Sequence, residues 1–176
     1  MAAGQMFVLA RTVGSCVIVA ALVALGTGPA WALDGGQTAP AFDLPGRPAA
    51  VKLADLRGKL VYLDFWASWC GPCRHSFPWM NEMQTRYGTR GLQVLAVNLD
   101  ARREDADRFL ADVPARFPIA FDARGDTAKL YAIKGMPSSV LIGPDGRVLA
   151  QHSGFRDAHR AELEASILAA LPTKSP

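Results

Sequence analysis

A cysteine pair most constrains what this chain can fold into. Cys70-Gly71-Pro72-Cys73 stands between an apolar run and a helical pattern. The run KLVYLDFWA (59–67) is β-branched and aromatic and free of turn formers, so it predicts a buried strand. From Pro72 to Tyr87 the pattern is helical, with Gly88 as its stop. Proline suits a first helical turn, where its missing N–H is not needed. Cys70 is thereby expected at the helix start, beside unpaired N–H groups and the positive end of the dipole. A thiolate there is stabilised, and its pKa falls below the ~8.5 of a free cysteine. Cys73 follows within the first turn. Cys70 reads as the exposed nucleophile and Cys73 as the resolving thiol that breaks the mixed disulfide.

Two other uses of such a pair carry less weight. A structural zinc site takes about four ligands, whereas this sequence offers one pair and three scattered histidines, His75, His152 and His159. No metal site is expected. A structural disulfide gains most by closing a long loop, and this loop is very short. His75 is expected to face solvent rather than serve as a base.

The N-terminus bears on the redox compartment. Arg11 is the only charge before Asp34, and TVGSCVIVAALVALG (12–26) is uncharged throughout. Ala30-Trp31-Ala32 has the small-x-small form of a cleavage site, so residues 1–32 read as a secretory signal peptide. An uncleaved anchor is the alternative, although the run is shorter than the ~20 apolar residues that span a bilayer. Val13-Gly14-Ser15-Cys16 has a weak likeness to a lipoprotein box, but the main apolar run follows Cys16. Cleavage after Ala32 removes Cys16 and leaves no third thiol to scramble the pair in an oxidising periplasm.

The remainder suits one domain. Residues 33–50, rich in Gly, Pro and Ala, read as an irregular lead-in, and 51–172 as the folded domain. GLQVLAVNLD (91–100) is a second buried strand and ARREDADRFLADV (101–113) a charged helix. FPIAFD (117–122) is a short strand and GDTAKLYAI (125–133) a short helix. SSVLIG (138–143) and RVLAQHSG (147–154) flank a Pro144-Asp145-Gly146 turn as a hairpin, and RDAHRAELEASILAAL (156–171) is a final helix. The class is α/β, with a mixed sheet. Lys+Arg total 19 and Asp+Glu 16, scattered without a stripe, so no nucleic-acid partner is expected.

DFWASWCGPCR (64–74) resembles the active-site signature of the thioredoxin superfamily, with Asp64, Trp66, Trp69, Cys70, Gly71, Pro72, Cys73 and Pro78 matching its residue types. APAFDLPG (39–46), DLRGK (55–59), FPWM (77–80) and GMPSSVLIGPDGRVL (135–149) narrow the resemblance to the secreted TlpA/ResA-like branch. The resemblance implies a thioredoxin-like fold, a central mixed β-sheet flanked by helices with the pair at a strand–helix junction. It implies that Asp64 assists proton transfer at the resolving thiol. It also implies that Pro137 follows a cis bond and faces the pair, leaving the Met136 backbone to hold an incoming peptide as an added strand. Trp69 would flank the same shallow surface. There are departures. The lysine that accompanies the aspartate in thioredoxin is Ala96 here, which leaves Asp64 unpaired with a raised pKa. The glutamate that several cytochrome c biogenesis members carry three residues after the second cysteine is Ser76, which counts against a dedicated role of that kind. Pro78 falls inside the helix and leaves the Arg74 carbonyl without its N–H partner.

The expected function is that of a periplasmic thiol–disulfide oxidoreductase, reducing protein disulfides through a redox-active Cys70–Cys73 disulfide with no further cofactor. It would act as a monomer on protein substrates and draw electrons from a membrane donor. Two alternatives stand beside it. One is a copper metallochaperone using the same cysteines, since soft thiolates suit Cu(I). The other is a non-catalytic binding module that keeps the pair oxidised.

Overall fold

The structure is a computed structural model that describes residues 35–172 together with Met1. The expected signal peptide and Cys16 lie outside the described residues.

Strand β4 (Leu60–Trp66) is buried along its whole length and forms the spine. It pairs in parallel with β5 (Leu92–Asn98), and β5 in parallel with β6 (Ile119–Phe121). On its other side β4 pairs antiparallel with β7 (Ser138–Ile142), which forms a hairpin with β8 (Val148–Ser153). Two short strands precede these, β1 (Asp43–Leu44) and β2 (Gly46–Arg47). β1 pairs with β3 (Val51–Lys52), while β2 joins the main sheet antiparallel to β6. The six-stranded order is β2-β6-β5-β4-β7-β8. Parallel neighbours need crossovers. These are supplied by α1 (Cys73–Tyr87) and α2 (Arg103–Asp112); α3 (Asp126–Leu130) and α4 (Arg160–Ala170) follow.

The period of two along β4 divides the core. Leu60, Tyr62 and Trp66 point to a face covered by Phe77 and Met80 of α1, Phe109 of α2 and Ile167 of α4, and this cluster holds both cysteines. Val61, Leu63 and Phe65 point to the other face, against Val97, Val140, Tyr131 and Ala128 of α3. In α1 the buried residues Cys73, Ser76, Phe77, Met80, Met83 and Tyr87 follow the three- and four-residue spacing of an amphipathic stripe, and Trp79 is buried at its edge. Phe77 meets Trp66 edge-on at 4.9 Å between centroids and Phe109 at 5.1 Å, which locks α1 and α2 together over the sheet.

The fold class is as expected, a mixed sheet flanked by helices, and three local readings are corrected. The lead-in is not irregular throughout, because Asp43–Leu44 and Gly46–Arg47 form β1 and β2. Gly46 permits this. A Cβ there would lie 2.3 Å from the Ala49 carbonyl oxygen, closer than side-chain carbons come to backbone. The first long helix starts at Cys73, with Pro72 as its cap rather than its first residue. The final helical stretch is divided, a 3₁₀ turn at Asp157–His159 preceding α4.

Candidate active site

The cysteine pair closes the junction between β4 and α1. Cys70 N–H donates to the Ala67 carbonyl at 3.0 Å, and Cys73 N–H to the Cys70 carbonyl at 3.1 Å. These tight turns carry the chain from the strand end into the helix. Cys70 and Cys73 form a disulfide with 5.4 Å between Cα atoms. Cys70 is 4 % exposed and Cys73 not at all. The expected nucleophile is thus the more exposed residue of the two, but it belongs to the aromatic cluster and is far from freely exposed. Gly71 and Pro72 are exposed beside it, and Trp69 is 71 % exposed.

The loop leading to Cys70 is held from across the sheet. Asp100, just past the end of β5, accepts from Ser68 N–H and Ser68 Oγ, both at 2.9 Å, and from Asn98 Nδ2 at 2.7 Å. Its own N–H donates to Asn98 Oδ1 at 3.1 Å. Asp100 and Asn98 are buried, and this clamp was not expected from the sequence. Ser76, the departure noted above, donates its hydroxyl to the Cys73 carbonyl at 3.2 Å.

Asp64 is 2 % exposed. It alternates along β4 with residues of the face that carries the cysteines, standing between Tyr62 and Trp66. Directly opposite are Ala96 on β5 and Ser139 on β7. Asp64 Oδ2 has no hydrogen-bond partner among the described residues. Burial without a cation holds its carboxyl well above the usual carboxylate range. Burial also pushes the neighbouring Tyr62 phenol up; the Asp64 charge adds to this, and a hydrogen bond with Ser139 opposes it.

The Met136-Pro137 bond is cis. Pro137 is buried, and the half-buried Met136 packs against the cluster that contains both cysteines. Ser138 Oγ donates to the Gly135 carbonyl, and Gly154 N–H to the Pro137 carbonyl, both at 2.7 Å. His75 is exposed on α1, as expected. The other two histidines face each other, His152 Nε2 lying 3.2 Å from His159 Nδ1, a pairing the sequence spacing did not suggest. Among the described residues no three or more His, Cys, Asp or Glu side chains gather as a metal site would require.

Known proteins resemble this chain in sequence and in fold. The Redoxin family matches residues 35–167. The thiol-disulfide oxidoreductase ResA of Bacillus thuringiensis subsp. konkukian is 34% identical over 130 residues, covering 72% of this chain and 74% of that protein. A crystal structure of a Chlorobium tepidum chain, assigned as thiol:disulfide interchange protein DsbE, superposes with a TM-score of 0.79 at 60% identity, covering 80% of this chain and 100% of the other. A Neisseria meningitidis structure assigned as a thioredoxin gives 0.67 at 31% identity, over 77% and 90% of the two chains. The chain therefore belongs to the Redoxin family, in the TlpA/ResA-like branch of the thioredoxin superfamily, as a thioredoxin-like thiol–disulfide oxidoreductase.

Proposed function

We propose that the protein reduces disulfides of protein substrates in the periplasm, with the cysteine pair as its only redox centre. The observation that carries this reading is the graded accessibility of the pair at the start of α1, Cys70 at 4 % and Cys73 at 0 %. The Cys70 thiolate attacks a substrate disulfide, and a Cys70–substrate sulfur bond forms as the other substrate sulfur leaves as a thiolate. Cys73 gives its proton to the Asp64 carboxylate and attacks Cys70 Sγ. The Cys70–Cys73 bond forms, the second substrate thiolate departs, and two electrons have passed from the pair to the substrate. Trp69, Gly71, Pro72, Met136 and Pro137 form the shallow surface on which an extended segment of substrate lies.

The periplasmic assignment is supported by the N-terminal apolar run and its small-residue junction. A reductant outside the cytoplasm needs electrons, so a membrane donor re-reduces the pair. The protein acts as a monomer. Among the described residues no helix is long and apolar enough to cross a membrane.

Trapping tests this reading. Expressed in its native compartment, a Cys73→Ala variant should accumulate mixed disulfides through Cys70, identifiable by mass spectrometry, and Cys70→Ala should not. Absence of mixed disulfides from Cys73→Ala would contradict the reading. Tight binding of one Cu(I) by the reduced wild type would favour copper transfer instead.

A further inference from the structure

Asp64 is enclosed by its strand neighbours and by the helices above them, yet a base has to exchange protons with water. Burial raises the Asp64 pKa and so favours the protonated form of its carboxyl. A protonated carboxyl can accept from Cys73 only after releasing its proton, and among the described residues no charged group offsets the effect of burial.

The sheet register provides one continuation. Asp64 lies opposite Ser139, and Ser139 opposite His152. Directly opposed residues in antiparallel strands project to the same face with Cβ atoms about 4.5–5.5 Å apart. Asp64, Ser139 and His152 thus form one row from the centre of the sheet to its β8 edge. On the other side the row continues from Ala96 on β5 to Ile119 on β6, and neither side chain carries a polar group. Ser139 also interacts with Tyr62, the residue two before Asp64 on the same face, and lines the same cavity. Tyr62, Ser139, His152 and Glu162 line a cavity of about 100 Å³ between this edge and α4. At ~30 Å³ per water such a space has room for a few water molecules, with enough polar partners to hold them. His152 is half-buried at its outer end and Glu162 is exposed, so the row runs from enclosed to open.

We infer that Ser139 and His152, with Tyr62 and the cavity they share, form the route by which the Asp64 carboxyl exchanges its proton with solvent, and that both are positioning residues for the resolving step. The proton leaves Asp64 Oδ, passes along the Ser139 and Tyr62 hydroxyls or the cavity, and reaches the His152 imidazole and then bulk water. The carboxylate left behind takes the Cys73 proton, and no electrons move on this route. The charged and titratable groups that face His152 are His159 from the 3₁₀ turn, Glu162 from α4, and, along and beside the row, Tyr62 and Asp64. Burial and, after it, the His159 charge lower the His152 pKa, which favours the neutral imidazole.

The inference rests on Asp64 being the base, and one experiment separates the two. Reduced protein mixed with Ellman's reagent releases one thionitrobenzoate as Cys70 attacks and a second as Cys73 resolves, so a stopped-flow trace reads both steps. Ser139→Ala and His152→Leu should each slow the second release about tenfold and leave the first unchanged, a part of the ~10²–10⁴ that a positioned acid or base supplies. In both variants the second release should show a larger slowing in D₂O than in wild type, which a merely structural role would not produce. Ser139→Thr, which keeps the hydroxyl, should resolve at close to the wild-type rate. If Asp64→Asn leaves the second release unchanged, the base reading fails and the route with it. If Asp64→Asn slows the second release while Ser139→Ala and His152→Leu do not, the base stands and the route is overturned. Equal slowing of both releases in the Ser139 and His152 variants also overturns it, as damage to the fold.

Discussion

Asp64 on β4 stands directly opposite Ala96 on β5, so a methyl group occupies the place from which a cation could neutralise the buried carboxylate. The carboxyl shares a sheet face with the cysteines and has one oxygen without a partner. A charge in that position is costly, so the site favours a protonated acid over a standing anion.

Stability should report this directly. The folded-state pKa of Asp64 is raised above its unfolded value of 3.8. Between those two values the folded chain binds a proton that the unfolded chain has lost, so stability falls as pH rises through that window. Asp64→Asn removes the titration. Its melting temperature should therefore exceed that of the wild type at neutral pH, and the gap should close as pH drops below 3.8. A gap that does not change with pH would contradict the assignment.

The two sulfurs should react unequally. In the reduced protein Cys70, in the turn just ahead of α1 and the more exposed residue of the pair, should be alkylated faster than Cys73, with an apparent pKa below the ~8.5 of a free thiol. Peptide mapping after brief iodoacetamide exposure across pH 5–9 measures this, and equal rates at both sulfurs would refute it.

The Ser68–Asp100 clamp should be worth measurable stability. Asp100→Ala leaves the Ser68 N–H, the Ser68 hydroxyl and the Asn98 amide without their acceptor. The buried Asn98 amide so abandoned costs about 1–3 kcal/mol, and the half-buried Ser68 groups cost less because water can reach them. Denaturant unfolding should show a loss of that order, together with slower attack by Cys70, because the clamp fixes the residues just before it. Unfolding curves matching wild type would show that the clamp contributes nothing.

Trp69 offers the converse case. With 71 % of its surface exposed, it contributes little to the core. Trp69→Ala should leave the melting temperature within about 2 °C of wild type, as surface changes of under ~0.5 kcal/mol do. It should raise KM for a protein disulfide substrate several-fold with kcat less affected. A fall in stability with KM unchanged would place Trp69 in the fold rather than on the binding surface.

Which parts of this were legible in the sequence follows from the range of the interactions. The β4 run and the α1 stripe are local patterns, and each was read to within a residue or so of its observed bounds. The facing of Asp64 and Ala96 was legible too, because the resemblance put Ala96 in the place of the lysine that accompanies the aspartate. Gly46–Arg47 was missed because a two-residue edge strand has no periodicity to detect. The Asp100 clamp joins residues 32 positions apart through a carboxylate that looks like any polar residue after a strand. The Asp64, Ser139 and His152 row depends on the register of three strands, which one-dimensional spacing does not contain.

The central claim is that Cys70 and Cys73 are a reducing dithiol, and the reduction potential of the pair tests it most directly. Equilibration with glutathione or dithiothreitol redox buffers, read by alkylation and mass shift, should give a single two-electron transition near the value of about −270 mV held by thioredoxin. A transition near the roughly −120 mV of DsbA, or a disulfide that no buffer reduces while the fold persists, would contradict it.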